Sequence, residues 1–562
     1  MAEGEAMDGF DETFDWVVVG SGAGSAVSAL VMRQAGKSVL ILEKTPLVGG
    51  TTAKSGGVMW IPNNRFMREA GETDSTEAAI RYLDAVCEDL PGSSHEKRLA
   101  YVVEAPKMID FLVEQGVELE RGSAFWPDYY DEVPGGVKTS RTVVAKPFDK
   151  KQLGPWEKKL RAGFLDMNVR LDDALQLPFA AKSWKIKLLF AKVAFKIVAG
   201  KLLGRHYTTA GAALQGRMLK AALDAGVTIR TECPVEQLIV EDGTVVGVAV
   251  RHEGMPKRIG AHLGVLVNAG GFAKNQALRD RHQPGTQAKW SQVAEGDTGD
   301  MHVEMERIGG TLGQMDQMVG YQTTLTPGWE TEYVTPPAQT ITCKPSAILV
   351  DQSGVRYMNE GGSYELYCQT MLERNRAVPA VPSWAIFDSR YASDYTVANL
   401  KVSRKAKEWE KAGYLKQADT IEGLAEAISV PPAVLKATVE RWNGFVAKGQ
   451  DEDFQRGARA YDQWLGDPFN TPNAALGPID RAPFYAIPVV PGDVSTYGGV
   501  VTDALGRVVR ADGTPLPGLY ATGVSTASVM GGVYPGAGSS IGPAMTFGYV
   551  AAKHAAGLGN QL

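Results

Sequence analysis

Short apolar runs that end in glycine recur along the chain, and they predict buried strands followed by tight turns. The first two runs are Val17–Val19 and Val39–Leu42. Residues 25–35 between them are small and apolar and end before Gly36, which is typical of a helix with a glycine at its C-terminus. The pattern therefore predicts a β-α-β unit with two parallel, buried strands.

Similar runs return much later in the sequence. Residues 212–250 read as a helix and three strands with a turn at Asp242–Gly243, and 263–272 and 515–528 add further strand-and-glycine segments. We expect one α/β, Rossmann-like domain built from distant segments, 1–317 and 493–562. An inserted α+β catalytic domain is expected over 318–492, with two helices around 405–448.

The turn of the first unit has the chemistry of a dinucleotide site. Gly20, Gly22 and Gly24 let the backbone approach a pyrophosphate, and Glu43 follows about 20 residues later, where it can bind ribose hydroxyls. NAD and a structural unit without a ligand remain alternatives from this unit alone. The glycine- and hydroxyl-rich run Thr45–Trp60 is typical of flavin enzymes and favours FAD.

Length and composition narrow the class of protein. The 562 residues require more than one domain, and the net charge of −6 argues against nucleic acid as a partner. The four cysteines form no metal-binding spacing, so no metal is expected, and free thiols indicate a reducing compartment. The acidic N-terminus lacks the features of a signal peptide, which favours a cytoplasmic protein.

One segment departs from this acidic background. Residues 182–205 contain six lysines, one arginine and no acid. At helical spacing one apolar face contains Trp184, Leu188, Ala191, Phe195, Val198 and Leu202, and a second contains Ile186, Phe190, Val193 and Ile197. The segment predicts peripheral attachment to an anionic membrane surface, on the inner face of the cell membrane. A surface helix pair that only covers the core is the alternative.

Motifs along nearly the whole chain resemble those of the 3-ketosteroid Δ1-dehydrogenases, within the superfamily that also contains fumarate reductases. They are VVVGSGAGSA, LEKTPLVGGTTAKSGGVMWIPNN, FWPDYY, RYMNEGGSYELY, AIFDSR, TYGGVVTD and VYPGAGSSIGPAMTFGYVAA. The resemblance implies the cofactor FAD, a 3-ketosteroid substrate and an external electron acceptor, either quinone-like or an electron carrier. The resemblance also marks the segment from about residue 150 to residue 207 as a basic insertion.

The resemblance also implies residue roles. Tyr364 is implied to take the steroid C2 proton with help from Tyr129, while the Tyr534 hydroxyl and the Gly538 N–H hold the C3 carbonyl and a hydride passes from C1 to flavin N5. The implied FAD contacts are Gly20, Gly22, Ala23, Gly24, Glu43, Lys44, Gly50, Thr51, Thr52, Ser55, Gly56, Gly57, Val235, Ala269, Gly270, Gly523, Ser539 and Ile541.

Several alternatives stay open at this point. Spacing alone does not choose Tyr129 over Tyr130, or Tyr364 over Tyr367. A 3-ketosteroid 4,5-dehydrogenase, a fumarate-reductase type of enzyme and a non-enzymatic membrane-binding protein compete with the leading hypothesis. A membrane-attached enzyme would suit sterol ketones with long side chains, such as cholest-4-en-3-one.

Overall fold

The computed structural model describes Met7 and residues 9–122, 126–328 and 339–559. Phe125, the first residue of the FWPDYY motif, lies outside the described residues.

Residues 9–317 contain the strands and helices that build most of the nucleotide-binding region. The strands are β1 Glu12–Val19, β2 Val39–Leu42, β3 Met59–Trp60, β4 Leu119–Arg121, β5 Thr142–Ala145, β6 Phe148–Asp149, β7 Tyr207–Thr208, β8 Thr228–Arg230, β9 Val235–Glu241, β10 Thr244–His252, β11 Met255–Val267 and β12 Leu312–Gly313. The helices are α1 Ala23–Gln34, α2 Gly50–Lys54, α3 Arg65–Glu69, α4 Thr76–Val86, α5 His95–Glu114, α6 Leu171–Gln176, α7 Trp184–Leu202, α8 Ala210–Asp224, α9 Gln276–His282 and α10 Asp300–Arg307.

The remaining elements follow in two groups. Residues 318–492 contain β13 Met318–Gly320, α11 Gln339–Thr342, β14 Ala347–Val350, α12 Tyr364–Asn375, β15 Ser383–Asp388, α13 Ser389–Asp394, α14 Val402–Lys411, β16 Lys416–Ala418, α15 Ile421–Ala427, α16 Pro432–Lys448, α17 Ala460–Leu465 and β17 Phe484–Val489. The C-terminal group is β18 Asp493–Thr496, β19 Gly499–Val500, β20 Arg507–Val509, β21 Pro515–Ala521 and α18 Ile541–Ala555.

One sheet gathers strands from both ends of the chain, in the order β20-β21-β11-β1-β2-β8. β21, β11, β1, β2 and β8 run parallel, and the hairpin β9–β10 pairs antiparallel onto β11. The central strands are buried on both faces because α1 and α18 pack on one side and α10 on the other, so their sequences are continuously apolar. The predicted discontinuous α/β fold is confirmed.

The region 318–492 has its own four-stranded antiparallel sheet, β14-β15-β17-β16, covered by helices. The first strand of the region, β13, lies outside that sheet and pairs antiparallel with β18. The chain therefore enters and leaves this region side by side. The prediction of two helices around 405–448 was wrong, because three are present: α14, α15 and α16.

Residues 166–208, which include the basic segment, form two short helical pieces over 171–179 and the 19-residue helix α7. Backbone pairing closes its base: the Thr209 N–H donates to the Leu165 carbonyl at 3.0 Å, and β6 pairs with β7. The residues before Leu165 pack against the nucleotide-binding region, because Leu160 pairs with Val48 in an isolated β-bridge. Within the described residues, no helix combines the length and apolar character needed to cross a bilayer.

Candidate active site

A single cavity of about 1680 Å³ runs from the glycine turn after β1 to the tyrosines of the region 318–492. A pocket for a drug-sized ligand has a volume of about 300–1,000 Å³. This cavity is therefore large enough for a dinucleotide cofactor and a second molecule beside it.

The glycine turn brings backbone against backbone at the cofactor end of the cavity. Gly20 has φ +95°, and a Cβ there would lie 2.3 Å from the carbonyl oxygen of Asn268. Gly22 and Ala23 open α1 and line the cavity, so the N–H groups of the first helical turn are available to an anion. Gly24 does not line the cavity; it lies against the Ala544 carbonyl and brings α18 close to α1.

Glu43 lies directly after β2, as the sequence predicts, and its carboxylate accepts hydrogen bonds from nearby residues. It accepts hydrogen bonds from the Ser21 hydroxyl at 2.5 Å and from the Thr45 N–H and hydroxyl at 2.9 and 2.8 Å. Lys44 also lines the cavity, while its ammonium group donates to Thr298 and Asp300. These hydrogen bonds thus fix the orientation of the Glu43 carboxylate without a ligand.

The remaining predicted cofactor contacts fall mainly on the same wall. Those that line the cavity are Gly50, Thr51, Thr52, Ser55, Gly56, Gly57, Val235, Ala269, Gly270, Gly523 and Ile541. Ser539 lines a separate small pocket, and its hydroxyl donates to the Gly536 carbonyl at 2.7 Å. Ser539 therefore braces the loop before α18 rather than facing the cavity.

Three polar residues on this wall were not predicted from the sequence. Asp297 is buried, contacts the Thr51 hydroxyl and the Gly271 N–H, and has its pKa raised to about 6 by burial. The Arg161 side chain donates to the Thr45 hydroxyl at 3.0 Å, while its Nε is buried without a partner. His302 is buried against the Gly498 carbonyl, and burial lowers its pKa to about 4. No spacing signal marks these residues, since each reaches the wall through tertiary folding.

These observations fit a flavin dinucleotide. The glycine cradle and the start of α1 suit a pyrophosphate, and the unpartnered guanidinium N–H of Arg161 suits an anionic ligand. Among the described residues, no group of His, Cys, Asp and Glu side chains is arranged to hold a metal ion.

Three tyrosines from distant segments meet at the other end of the cavity. The ring centroids of Tyr364 lie 5.5 Å from Tyr129 and 5.4 Å from Tyr534, and those of Tyr129 and Tyr534 are 5.9 Å apart. The ring centroid of Tyr461 lies 4.1 Å from that of Tyr129 with the rings tilted, and that of Tyr321 lies 5.1 Å from that of Tyr364. All five rings line the cavity. The structure thus brings together the tyrosines for which the sequence implied roles, and it adds Tyr321 and Tyr461.

The alternatives at the neighbouring positions have different surroundings. The Tyr130 hydroxyl is directed to the carboxylate of Glu365 at 3.4 Å, and the Tyr367 hydroxyl lies 3.4 Å from that of Thr342. Neither residue lines the cavity. Position therefore favours Tyr129 and Tyr364 over Tyr130 and Tyr367.

The loop that contains Tyr534 and Gly538 is fixed from several sides. The Pro535 carbonyl accepts hydrogen bonds from the Tyr129 N–H at 2.9 Å and from the Tyr82 hydroxyl at 2.5 Å, and the Gly538 carbonyl accepts from the Trp60 N–H at 3.2 Å. Gly538 has φ +94°, and a Cβ there would lie 2.4 Å from the Val58 carbonyl oxygen. Only glycine fits this position without a backbone shift.

Burial dominates the electrostatics of the cluster. It raises the pKa of Tyr129, Tyr364 and Tyr534 above the ordinary value of a tyrosine. The backbone N–H groups of Gly538 and Ser540 face the Tyr534 hydroxyl and lower its pKa, and a hydrogen bond with Tyr364 lowers the pKa values of Tyr129 and Tyr534. The phenols are therefore a coupled set with hydrogen-bond donors converging beside Tyr534.

Comparisons with known proteins agree with this geometry. Residues 15–541 match a family described as FAD binding domain. The chain is 37% identical to a 3-oxosteroid 1-dehydrogenase of Mycolicibacterium smegmatis, over 96% of this chain and 97% of that protein. The chain therefore belongs to the FAD-binding family, together with the 3-oxosteroid 1-dehydrogenases.

Two further proteins extend the similarity. A 3-oxosteroid 1-dehydrogenase of Mycobacterium tuberculosis is 37% identical over 97% of this chain and 98% of that protein. The crystal structure of the 3-ketosteroid Δ1-dehydrogenase of Sterolibacterium denitrificans, in complex with 1,4-androstadiene-3,17-dione, matches with a TM-score of 0.90 and 33% identity. That match covers 97% of this chain and all of the other. The predictions of a flavoenzyme, of FAD and of this family are confirmed.

Proposed function

We infer that the protein catalyses the FAD-dependent 1,2-dehydrogenation of 3-ketosteroids. The observation that carries this inference is the convergence of Tyr129, Tyr364 and Tyr534 in a cavity that continues into the glycine-lined cofactor groove. Near-full-length similarity to 3-oxosteroid 1-dehydrogenases supports it. FAD supplies the acceptor for the hydride that leaves C1.

The Tyr534 hydroxyl and the Gly538 N–H hold the C3 carbonyl of the steroid. Two donors at one oxygen stabilise the enolate that develops when the C2 proton leaves, and removal of one such donor costs about 3 kcal/mol. The proximity of the Gly538 N–H to the Tyr534 hydroxyl supports this pairing. Because the site is buried, the donors act without competition from bulk water.

Tyr364 accepts the C2 proton, with the Tyr129 hydroxyl stabilising its phenolate. Tyr364 is the first residue of α12, where the helix dipole favours negative charge. Burial raises the pKa of Tyr364, and the hydrogen bond with Tyr129 raises it further in the structure, where Tyr364 is the donor. Tyr129 therefore stabilises the phenolate only when its own hydroxyl donates to Tyr364, and ionisation of the base depends on pH. An external acceptor, either quinone-like or an electron carrier, removes the two electrons after each turnover.

The substrate range includes ketones with a long apolar side chain. The part of the cavity next to the basic segment is lined by apolar residues from α6, α7, α17 and adjoining segments: Phe164, Leu171, Leu175, Pro178, Phe179, Ile186, Trp464, Leu465 and Phe469. An apolar side chain buried there is stabilised by about 25 cal/mol per Å² of surface removed from water.

The exposed apolar face of α7, which contains Trp184, Phe195 and Leu202, attaches the enzyme to an anionic membrane surface on the cytoplasmic side. Trp184, Phe195 and Leu202 are 77%, 73% and 82% exposed, whereas Ile186 and Val193 of the second apolar face are buried. Exposed lysines flank the outer face, and such side chains bind anionic head groups while apolar residues enter the interface. A hydrophobic ketone would then enter the cavity from the bilayer.

Anaerobic bleaching of the bound flavin tests the proposed reaction. Purified holoenzyme is mixed with 3-keto-4-ene steroids that have short or long side chains, and the flavin absorbance and the products are recorded. We expect bleaching and formation of the 1,4-diene-3-one. Formation of a 4-ene from a saturated ketone, without a Δ1 product, would assign the enzyme to 4,5-dehydrogenation instead.

A further inference from the structure

The cavity opens to solvent between residues 166–208 and the region 318–492. Leu175 and Phe469 line the cavity from these two sides and are 43% and 44% exposed, whereas Tyr129 at the inner end is 3% exposed. In the described part of the chain, no backbone hydrogen bond joins the two sides. Side-chain contacts therefore set the distance between the two walls of this opening.

A buried carboxylate connects the two walls. The Asp467 side chain is fully buried, and one of its oxygens pairs with the Lys182 ammonium group of the basic segment. The same oxygen accepts from the Tyr395 hydroxyl at 2.6 Å. The Lys182 ammonium group also lies 3.5 Å from the Asp394 carboxylate and 4.8 Å from the centroid of the Tyr395 ring. Because Asp467 is buried, removal of Lys182 would leave a carboxylate in the protein without its cation.

Each partner of this pair also positions an aromatic residue. The other oxygen of Asp467 accepts from the Phe469 N–H at 2.9 Å. The backbone N–H of Lys182 donates to the Phe179 carbonyl at 2.9 Å. The ring centroids of Phe179 and Phe469 lie 6.0 Å apart, and both residues line the cavity. The Lys182–Asp467 pair thus fixes the separation of the two rings.

We propose that the Lys182–Asp467 pair determines specificity for the C17 side chain of the steroid, by holding Phe179 and Phe469 as one apolar surface against which a long chain packs. This proposal rests on the proposed function. With the C3 carbonyl held at the inner end of the cavity, C17 points towards the opening, so a long side chain reaches the two rings. Without the pair the rings separate and water enters between them, while the tyrosine cluster is unaltered.

The test compares wild type, Lys182→Met, Asp467→Asn and the double variant as holoenzymes without vesicles. kcat and KM are measured for a 3-keto-4-ene steroid that lacks a C17 side chain and for cholest-4-en-3-one dispersed with cyclodextrin. Each single variant should lower kcat/KM for cholest-4-en-3-one about tenfold, through KM, and change the value for the short ketone by less than about twofold. Because the two residues act as one pair, the double variant should lose about as much as either single variant.

Lys192→Met is the matched control, because it removes the same charge from an exposed position of α7. It should retain the wild-type values with both ketones. Equal losses with both ketones, additive losses in the double variant, or unchanged selectivity of Lys182→Met would overturn the proposal.

Two further outcomes separate this proposal from protein instability and from the proposed reaction. If Asp467→Asn fails to retain FAD, Lys182→Arg replaces it and should keep the selectivity that Lys182→Met loses; equal loss in both variants would count against the proposal. Turnover of the short ketone alone by wild type would overturn the proposal and leave the proposed reaction standing. Failure of wild type to turn over either ketone would refute the proposed function instead.

Discussion

At the scale of single residues, the proposed role of the Tyr534 hydroxyl is separate from the packing of its ring. Phenylalanine would preserve the ring contacts with Tyr129 and Tyr364 and remove only the donor. We expect Tyr534→Phe to retain FAD and to lower kcat by about 10²- to 10³-fold. Rapid-mixing measurements of flavin reduction check this. Tyr485→Phe, in the sheet of the region 318–492 and outside the cavity, should leave the rate unchanged.

With Tyr364 as the proposed base, the rate should depend on pH in one direction. Burial raises the pKa of Tyr364 well above 10, so the phenolate fraction at neutral pH is small and increases about tenfold per pH unit. Anaerobic flavin reduction at saturating steroid should therefore accelerate from pH 7 to pH 9.5. A flat or falling rate over this interval would contradict proton abstraction by a tyrosine.

The sequence was informative about residues within motifs and uninformative about those outside them. Tyr534 and Gly538 lie in a glycine-rich loop that stands out in the sequence, and the structure places them together. Tyr129 and Tyr130 could not be separated, because their orientation depends on irregular backbone and on partners hundreds of residues away, Pro535 and Glu365. Arg161 and Asp297 could not be found, since nothing local distinguishes them from surface charges.

At the scale of elements, helix α7 presents an apolar face that the rest of the described chain leaves uncovered. The double substitution Phe195→Ser with Leu202→Ser should abolish cosedimentation with vesicles that contain anionic lipid. Turnover of a water-soluble, short-chain ketosteroid should be retained. Met255→Ser, which removes an exposed apolar side chain from the β10–β11 hairpin, is the matched control and should bind vesicles normally. Unchanged vesicle binding of the double variant would refute attachment through α7.

Periodicity predicted some elements well and missed others for physical reasons. β2 has the predicted bounds, and the two apolar faces inferred from helical spacing differ in exposure: Ile186 and Val193 of the second face are buried, although Phe190 of that face is 54% exposed, while the first face is largely exposed. α15 was missed because its seven residues complete only two turns, too few for a period of 3.6 residues to be visible.

At the scale of the whole molecule, a buried ion pair joins the two halves of the nucleotide-binding region. Arg279 and Asp493 are both fully buried and in contact, and Arg279 also donates to Ala273 and Thr286. Arg279→Met leaves the Asp493 carboxylate without its cation, which should cost about 3–5 kcal/mol of unfolding free energy. Because a buried, unpaired carboxyl prefers to be protonated, the loss should be largest at alkaline pH.

Thermal unfolding at a fixed FAD concentration measures this loss. The control is Arg441→Met, which breaks the exposed pair with Asp453 and should change stability by less than about 1 kcal/mol. Equal melting temperatures for the two variants would show that the buried pair contributes no more than a surface pair.

The overall α/β fold followed from local patterns because each strand-glycine segment is self-contained in sequence. The cavity could not be predicted from local patterns, because its wall combines residues from α2, α12, the loop before α18 and the base of the basic segment. Its volume and its apolar lining are properties of the assembled chain.

The closed base of the basic segment has a consequence for the history of this protein. Since Leu165 and Thr209 already lie hydrogen-bonded side by side, residues 166–208 can be exchanged for a short turn without displacing either neighbour. With the membrane attachment proposed for α7, gain or loss of this segment in one step would redirect the enzyme between dissolved and lipid-borne ketones. The tyrosines would be kept, the segment's contribution of Leu171 to the apolar cluster around Tyr129 and Tyr534 would change, and the supply route would be new.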